Sequence, residues 1–184
     1  MKKESVIGYV LRLALTLMII TAVVAALLAG VNAITRDRIA AIDEEKTLAA
    51  MAAVLPDAKD AEPVSFTDDS GIVSAVYASP AGYAVMVEPV GFGDTITMMV
   101  GVDKEGKVLG ISVVKHGETA GLGAVAAAKT ARGEAFRSQF AGMSGTLAVT
   151  KDGGQVDAIS SATITSRAVT AGVNAALACV ENFG

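Results

Sequence analysis

The 184-residue sequence has one cysteine, one histidine and no tryptophan. With Cys179 alone there is no intramolecular disulfide and no paired-cysteine metal or redox motif. With His116 alone there is no histidine-pair metal centre and no legible catalytic triad, and the acidic residues lack calcium-loop spacing. Charged residues make up 18% of the chain against about 25% in an average soluble domain, and the formal charge is −4. Lysine and arginine form no block, so nucleic acid is not an expected partner. A GxGxxG fingerprint and cluster-ligating cysteines are both missing, so the chain alone would neither oxidise NADH nor hold an iron–sulfur centre. Hydrophobic residues, in contrast, reach 52%, which excludes a disordered chain and leaves room for one modest domain.

The hydrophobic excess sits at the N-terminus. Leu13 to Thr35 carries no charge, and a helix of that length spans roughly 35 Å, enough to cross a bilayer core of about 30 Å. Tyr9 and Arg12 suit the headgroup edge, so membrane lipid is an expected partner. A cleaved signal peptide is the rival reading, with Lys2 and Lys3 as its basic region, but the apolar run exceeds the usual core of roughly 7–15 residues. Positive charges nearly balance across the span. The short basic tail favours a cytoplasmic N-terminus, a single pass through the plasma (inner) membrane, and a C-terminal domain on the extracytoplasmic side. Setting aside Lys2, Lys3, Arg12 and Glu4 leaves 12 basic against 18 acidic residues, so everything beyond the span, stalk included, carries −6.

Beyond the span the helical pattern continues as an Ala-rich stalk to Leu55, where Pro56-Asp57 ends it. Asp57 to Asp69 reads as a linker. The organisation expected is a tail and transmembrane helix over residues 1–35, a stalk and linker over 36–62, and a single domain over 63–184. Strands are predicted at 72–77, 83–89, 95–102 and 107–115. The last two flank Asp103-Lys104-Glu105-Gly106, a hairpin signal. Short helices are predicted at 124–131 and 134–140, a short strand at 147–150, and a final helix at 168–180 with Val169, Val173, Ala176, Leu177 and Val180 on one side. Glu134 and Arg137 read as an i, i+3 pair on a solvated face, Met98-Met99 as packing residues, and Cys179 as a buried structural thiol. The fold class is α+β, with an antiparallel sheet and flanking helices.

Chemistry concentrates in Asp157-Ala158-Ile159-Ser160-Ser161-Ala162-Thr163, a small-residue turn leading into the last helix. Hydroxyls at 160, 161, 163, 165 and 166 crowd the helix start. One reading is a Ser/Thr N-cap. The other is a phosphate site, since a helix start offers unpaired N–H donors and positive partial charge.

The heptapeptide resembles the flavinylation motif of FMN-binding domains, D-x-x-S/T-G/S-A-T. The resemblance implies covalent FMN joined to the hydroxyl of Thr163 by a phosphoester, like a phosphoprotein linkage. It implies Asp157 and Ser160 as recognition residues for an FAD-dependent FMN transferase, with Ser161 and Ala162 in the same turn. His116-Gly117-Glu118-Thr119-Ala120-Gly121-Leu122-Gly123 looks like the H-x-E-T-P-G-L-G loop of the same family. There Gly121 and Gly123 would let backbone lie close to a planar ring, Leu122 would sit between them, and Glu118 and Thr119 would hydrogen-bond the flavin. Gly91-Phe92-Gly93-Asp94 also matches the family's pattern. Ala120 departs from its proline and Ser161 from its commoner glycine.

The ordered span, stalk, GFGD turn, HGETAGLG loop and DAISSAT together resemble the RnfG family of the Rnf electron transport complexes, over essentially the whole chain. The implied function is a membrane-anchored flavoprotein subunit that relays electrons within an ion-translocating complex. It would be an electron carrier that is not catalytic alone, with no catalytic and no metal-binding residues, partnered by membrane, iron–sulfur and flavin subunits. The alternatives are a non-redox, membrane-tethered extracellular binding or scaffold domain, and the C-subunit of a sodium-translocating NADH:quinone reductase. That last protein shares the domain but is usually longer.

Overall fold

The computed structural model describes residues 6–56 and 58–183. Lys2, Lys3 and Asp57, which the sequence assigned to a basic tail and a helix stop, lie outside the described residues. The chain divides into two compact units, residues 1–44 and 45–184.

The first unit belongs to a single helix, α1 (Val6–Val54), in which every residue from Gly8 to Ile42 is exposed. Among the described residues α1 is the helix long and apolar enough to cross a bilayer. Its threonines turn inward on the helix: Thr16, Thr21 and Thr35 donate their hydroxyls to the carbonyls of Arg12, Leu17 and Val31, at 2.8, 2.9 and 2.9 Å. Such back-bonding satisfies the hydroxyls within the helix itself. The expected stalk is helical without a break up to Val54. Pro56 then stops the helix, because a residue before proline is driven out of the α region.

The second unit is built on a five-stranded antiparallel sheet in the order β1 (Glu62–Pro63), β2 (Val73–Ser79), β3 (Gly82–Val87), β4 (Thr97–Val102), β5 (Val108–Lys115). Strand alternation divides its side chains between two cores. Val85, Val87, Met98 and Val100 face one side, where α3 (Thr163–Glu181) lays down Val169, Val173, Ala176, Leu177 and Val180. Ala84 and Met99 face the other, against Ala50, Met51, Val54 and Leu55 at the end of α1. The adjacent Met98 and Met99 therefore both pack, on opposite faces, with no exposed surface. Cys179 is buried on α3, and burial first, then the charge of Asp68, raises its thiol pKa.

Several predicted elements differ. The expected linker contains β1, an edge strand that pairs Glu62 with Ala78 and Pro63 with Tyr77. β5 has a register shift against β4, so Val108 and Ile111 both reach the main core while Leu109 turns outward. That bulge breaks the two-residue alternation along β5. The 124–131 helix reduces to a 3-10 turn, Gly123–Ala126, and α2 runs from Ala131 to Ser138. Arg137 does not pair with Glu134 on a solvated face. Its guanidinium donates to the carbonyls of Ala126 and Ala128, at 2.8 and 3.0 Å, tying α2 to that turn. The 147–150 strand is a single parallel bridge, Val149 to Val156. The Asn174 side chain bonds both the N–H and the carbonyl of Leu147 at 2.8 Å, so this segment docks on α3 rather than the sheet. Finally, α3 begins five residues earlier than predicted, at Thr163.

Candidate functional site

The start of α3 is set by a backbone turn. Ala162 stands at the N-cap position with no side-chain cap, and Ser161 before it has φ 65°, the one described non-glycine residue with positive φ. The left-handed region costs a residue with a Cβ roughly 1–2 kcal/mol, so the departure from glycine at this position is carried as strain. The expected Ser/Thr cap is therefore absent. The Ser166 hydroxyl is buried inside the turn, accepting from the Ile159 N–H at 2.9 Å and donating to the Ala162 carbonyl at 3.0 Å. The first α-helical hydrogen bond of α3 is Ser166 N–H to Ala162 carbonyl, which leaves the N–H groups of Thr163, Ile164 and Thr165 as donors without a helical partner.

The hydroxyls of this turn have different environments. Thr165 is buried and donates to the Glu118 carboxylate at 2.5 Å. Thr163 is half-buried, and its Oγ1 accepts from the Lys151 ammonium at 3.0 Å. Ser160 and Ser161 are exposed.

Glu118 is the buried charged side chain of the described residues, 8% exposed. Besides the Thr165 hydroxyl, it accepts the N–H of Phe92 at 2.8 Å and of Gly93 at 3.0 Å. Burial pushes its carboxyl pKa up, but the bonds from Thr165, Gly93 and Phe92 and the charge of His116 outweigh it, so the group lies below the usual glutamate range. Glu118 thus joins three segments that are remote in sequence: the GFGD turn, its own loop, and the first turn of α3. His116 shapes that loop, its Nδ1 accepting the Glu118 N–H at 3.2 Å. A Cβ on Gly91 or Gly123 would run into the Glu118 carboxylate. Close approach does explain Gly123, but the group approached is this carboxylate. Gly121 faces open space and is needed for its φ of 76°.

Around this joint lies a cleft of about 340 Å³, lined by Glu118, Thr119, Leu122, Gly123, Ser161, Ala162 and Thr163, together with Phe92, Ile164 and Thr165. Phe92, Leu122 and Ile164 are 68%, 42% and 51% exposed, an apolar mouth above a hydroxyl-rich floor. Asp157 and Ser160 line a separate groove with Arg132, Phe136 and Gln139. Gln139 clasps the Asp157 backbone, and Arg132 donates to the Ser160 carbonyl at 3.2 Å. Phe92, Ile164 and Lys151 were not among the sequence candidates, and Thr165 entered only as one of the hydroxyls at the helix start. Phe92 had a signal, an aromatic between two glycines in an aromatic-poor chain. Lys151 had none, since only the turn over Thr150–Asp152 carries it to Thr163.

The cleft meets the demands of a flavin mononucleotide. It has the volume of a small-molecule site, apolar side chains for a ring, an open helix start and an ammonium for a phosphate, and a reachable hydroxyl.

Comparison with known proteins agrees with this chemistry. The FMN-binding domain family matches residues 91–178, and the RnfG N-terminal region matches residues 1–54. The chain is 36% identical over 173 residues to the G-subunit of the ion-translocating oxidoreductase complex of Methanosarcina acetivorans, covering 88% of this chain and 89% of that one. It is 32% identical over 198 aligned positions to the G-subunit of the Na(+)-translocating ferredoxin:NAD(+) oxidoreductase complex of Acetobacterium woodii, covering 95% and 93%. The G-subunit of the ion-translocating oxidoreductase complex of Stutzerimonas stutzeri is 34% identical over 180 residues, covering 89% and 78%.

Proposed function

We propose that this chain, which belongs to the RnfG family of the ion-translocating oxidoreductase (Rnf) complexes, carries FMN covalently on Thr163 and passes electrons between partner subunits of such a complex. The observation that carries the attachment is the uncapped start of α3. Its free N–H donors and the half-buried Thr163 hydroxyl open on one cleft, while Thr165 and Ser166 are buried and already bonded. A phosphoester at Thr163 would place its charge at the positive end of α3. Bound FMN supplies the one- and two-electron chemistry. The protein's own residues hold it. Phe92, Leu122 and Ile164 bound the ring region, and Thr119 and Ser161 offer hydroxyls at the rim. Glu118 acts through the frame, fixing the Phe92 turn to the helix that bears Thr163.

Asp157 and Ser160 face away into the neighbouring groove, where a flavin transferase can read them without obstructing the cleft. Residues 13–35 of α1 anchor the chain, with residues 1–35 as tail and span, 36–62 as stalk and linker, and 63–184 as an extracytoplasmic domain. A flavin that cannot dissociate suits a carrier exposed to dilution outside the cell.

Peptide mapping of protein produced with the transferase tests the attachment. The expected result is the FMN phosphoryl mass on the peptide containing Thr163. An unmodified Thr163 in active complex, or FMN on Thr165 or Ser166, overturns it. Protease added to intact cells should digest residues beyond Arg36, and full protection would reverse the orientation.

A further inference from the structure

Lys151 is an exposed lysine whose ammonium rests on the oxygen that the reading above makes the attachment atom, Thr163 Oγ1 at 3.0 Å. Its position is built. The 3-10 turn Thr150–Asp152 is closed by Thr150 N–H to the Val156 carbonyl and Asp152 N–H to the Val149 carbonyl, both 2.8 Å. The turn is then fastened to α3 by a two-pronged ion pair, with Arg167 Nε and a terminal nitrogen on the two Asp152 oxygens at 2.7 and 2.6 Å. Arg167 lies one helical turn beyond Thr163, on the same side of α3. Because Arg167 occupies both Asp152 oxygens, the nearest carboxylate in sequence does not draw Lys151 away. Lys151 makes no ion pair among the described residues.

Ordering a long side chain costs rotamer entropy, and a neutral hydroxyl is a weak return for an ammonium. A phosphodiester is a better partner, because it is anionic and accepts charge-assisted bonds. The surroundings sharpen the need. With 8 basic and 11 acidic residues between 63 and 184, the domain is net negative toward an anionic dinucleotide donor, and a fixed cation at the acceptor oxygen opposes that repulsion locally.

We propose that Lys151 is the phosphate-positioning residue of the attachment site, held on Thr163 by the Arg167–Asp152 pair. This rests on Thr163 being the flavinylated residue. Loading forms the bond from Thr163 Oγ1 to the flavin-side phosphorus of a flavin–adenine dinucleotide and breaks that donor's P–O–P anhydride. AMP leaves, and the hydroxyl proton passes to the transferase or to solvent. Lys151 takes no part in that proton transfer: it first draws the donor phosphate to the oxygen and then pairs with the single negative charge of the product.

The test uses the full chain in detergent, with purified flavin transferase and its dinucleotide donor. FMN incorporation is followed by intact mass at donor concentrations below saturation. Lys151→Met should lower the loading efficiency roughly tenfold, one charge-assisted contact. Lys151→Arg should restore most of it, and Lys104→Met in the β4–β5 hairpin should leave it unchanged. Raising the salt should shrink the gap between wild type and Lys151→Met, because an exposed charge is screened. The phosphorus-31 resonance of fully loaded protein should also move in Lys151→Met. Equal loading efficiency and an identical resonance in wild type and Lys151→Met would overturn the role of Lys151. A wild-type chain that takes up no FMN at Thr163 would overturn the attachment reading itself, and is seen before any variant is made.

Discussion

The two helix starts of the domain differ in a way that separates structure from function. α2 begins at Thr130, whose side chain accepts the Gly133 N–H at 3.3 Å, and Glu134 follows within the first turn. This is how a helix serving only the fold closes its unpaired donors. α3 begins at Ala162 with no side-chain cap and a strained Ser161 before it, although hydroxyl residues stand at 160, 161, 163, 165 and 166. Two of them, Thr165 and Ser166, are used elsewhere in the interior, and Thr163 is left at the cleft. The uncapped start leaves the N–H groups of Thr163, Ile164 and Thr165 without a helical partner, where the proposed phosphoester would sit.

The widest separation between the two starts comes from removing the threonine at each. Thr163→Val should give a folded, colourless protein with complete loss of covalent flavin, read by absorbance and denatured fluorescence. Thr163→Ser should retain part of the modification. Thr130→Ala should leave flavin content unchanged and lower stability by about 1 kcal/mol in a denaturation experiment. Flavin retained in Thr163→Val, or lost in Thr130→Ala, would remove the distinction.

Breaking the joint beneath α3 comes next. Glu118→Ala leaves the Phe92 and Gly93 N–H groups and the Thr165 hydroxyl without their acceptor, and should cost about 2–3 kcal/mol. Gly123→Ala drives a Cβ into the same carboxylate and should cost about 2 kcal/mol. Both should shift the flavin spectrum of loaded protein while leaving attachment at Thr163, and unchanged spectra would make the loop a purely structural element.

Acidity probes the same joint more gently. Because the folded pKa of Glu118 lies below its unfolded value, its stabilisation is complete above the unfolded pKa and is lost as the pH falls through the folded one. Glu118→Gln should flatten that part of the acid limb in a pH series of melting temperatures, and an unaltered limb would mean that other carboxylates dominate.

The smallest effect is expected at Ser161. Glycine there relieves the left-handed strain but loosens the unfolded chain, so Ser161→Gly should raise stability by no more than about 1 kcal/mol. Ser161→Val should lower it and slow loading.

Local pattern determined a large share of this protein. The uncharged run from Leu13 to Thr35 specifies a helix because length and hydropathy are properties of the chain alone. Strands β2 to β5 were legible because their alternation and turn residues are local as well. The DAISSAT heptapeptide pointed to Thr163 for the same reason, since its information lies in consecutive residues. What tertiary structure decided was every role that depends on a partner far away in sequence. The 147–150 strand failed because Asn174 claims the Leu147 backbone groups that a sheet would have used. Glu118 reads in sequence as a ligand-facing acid, and only the fold shows that its oxygens accept from Phe92, Gly93 and Thr165, up to 47 residues away. Lys151 has no motif at all, and meets Thr163 only in the fold, where an ion pair between Asp152 and Arg167 joins its turn to the helix. A backbone pattern is written in neighbouring residues, whereas which hydroxyl is buried and which lines the cleft is decided by side chains that meet only after the chain has folded.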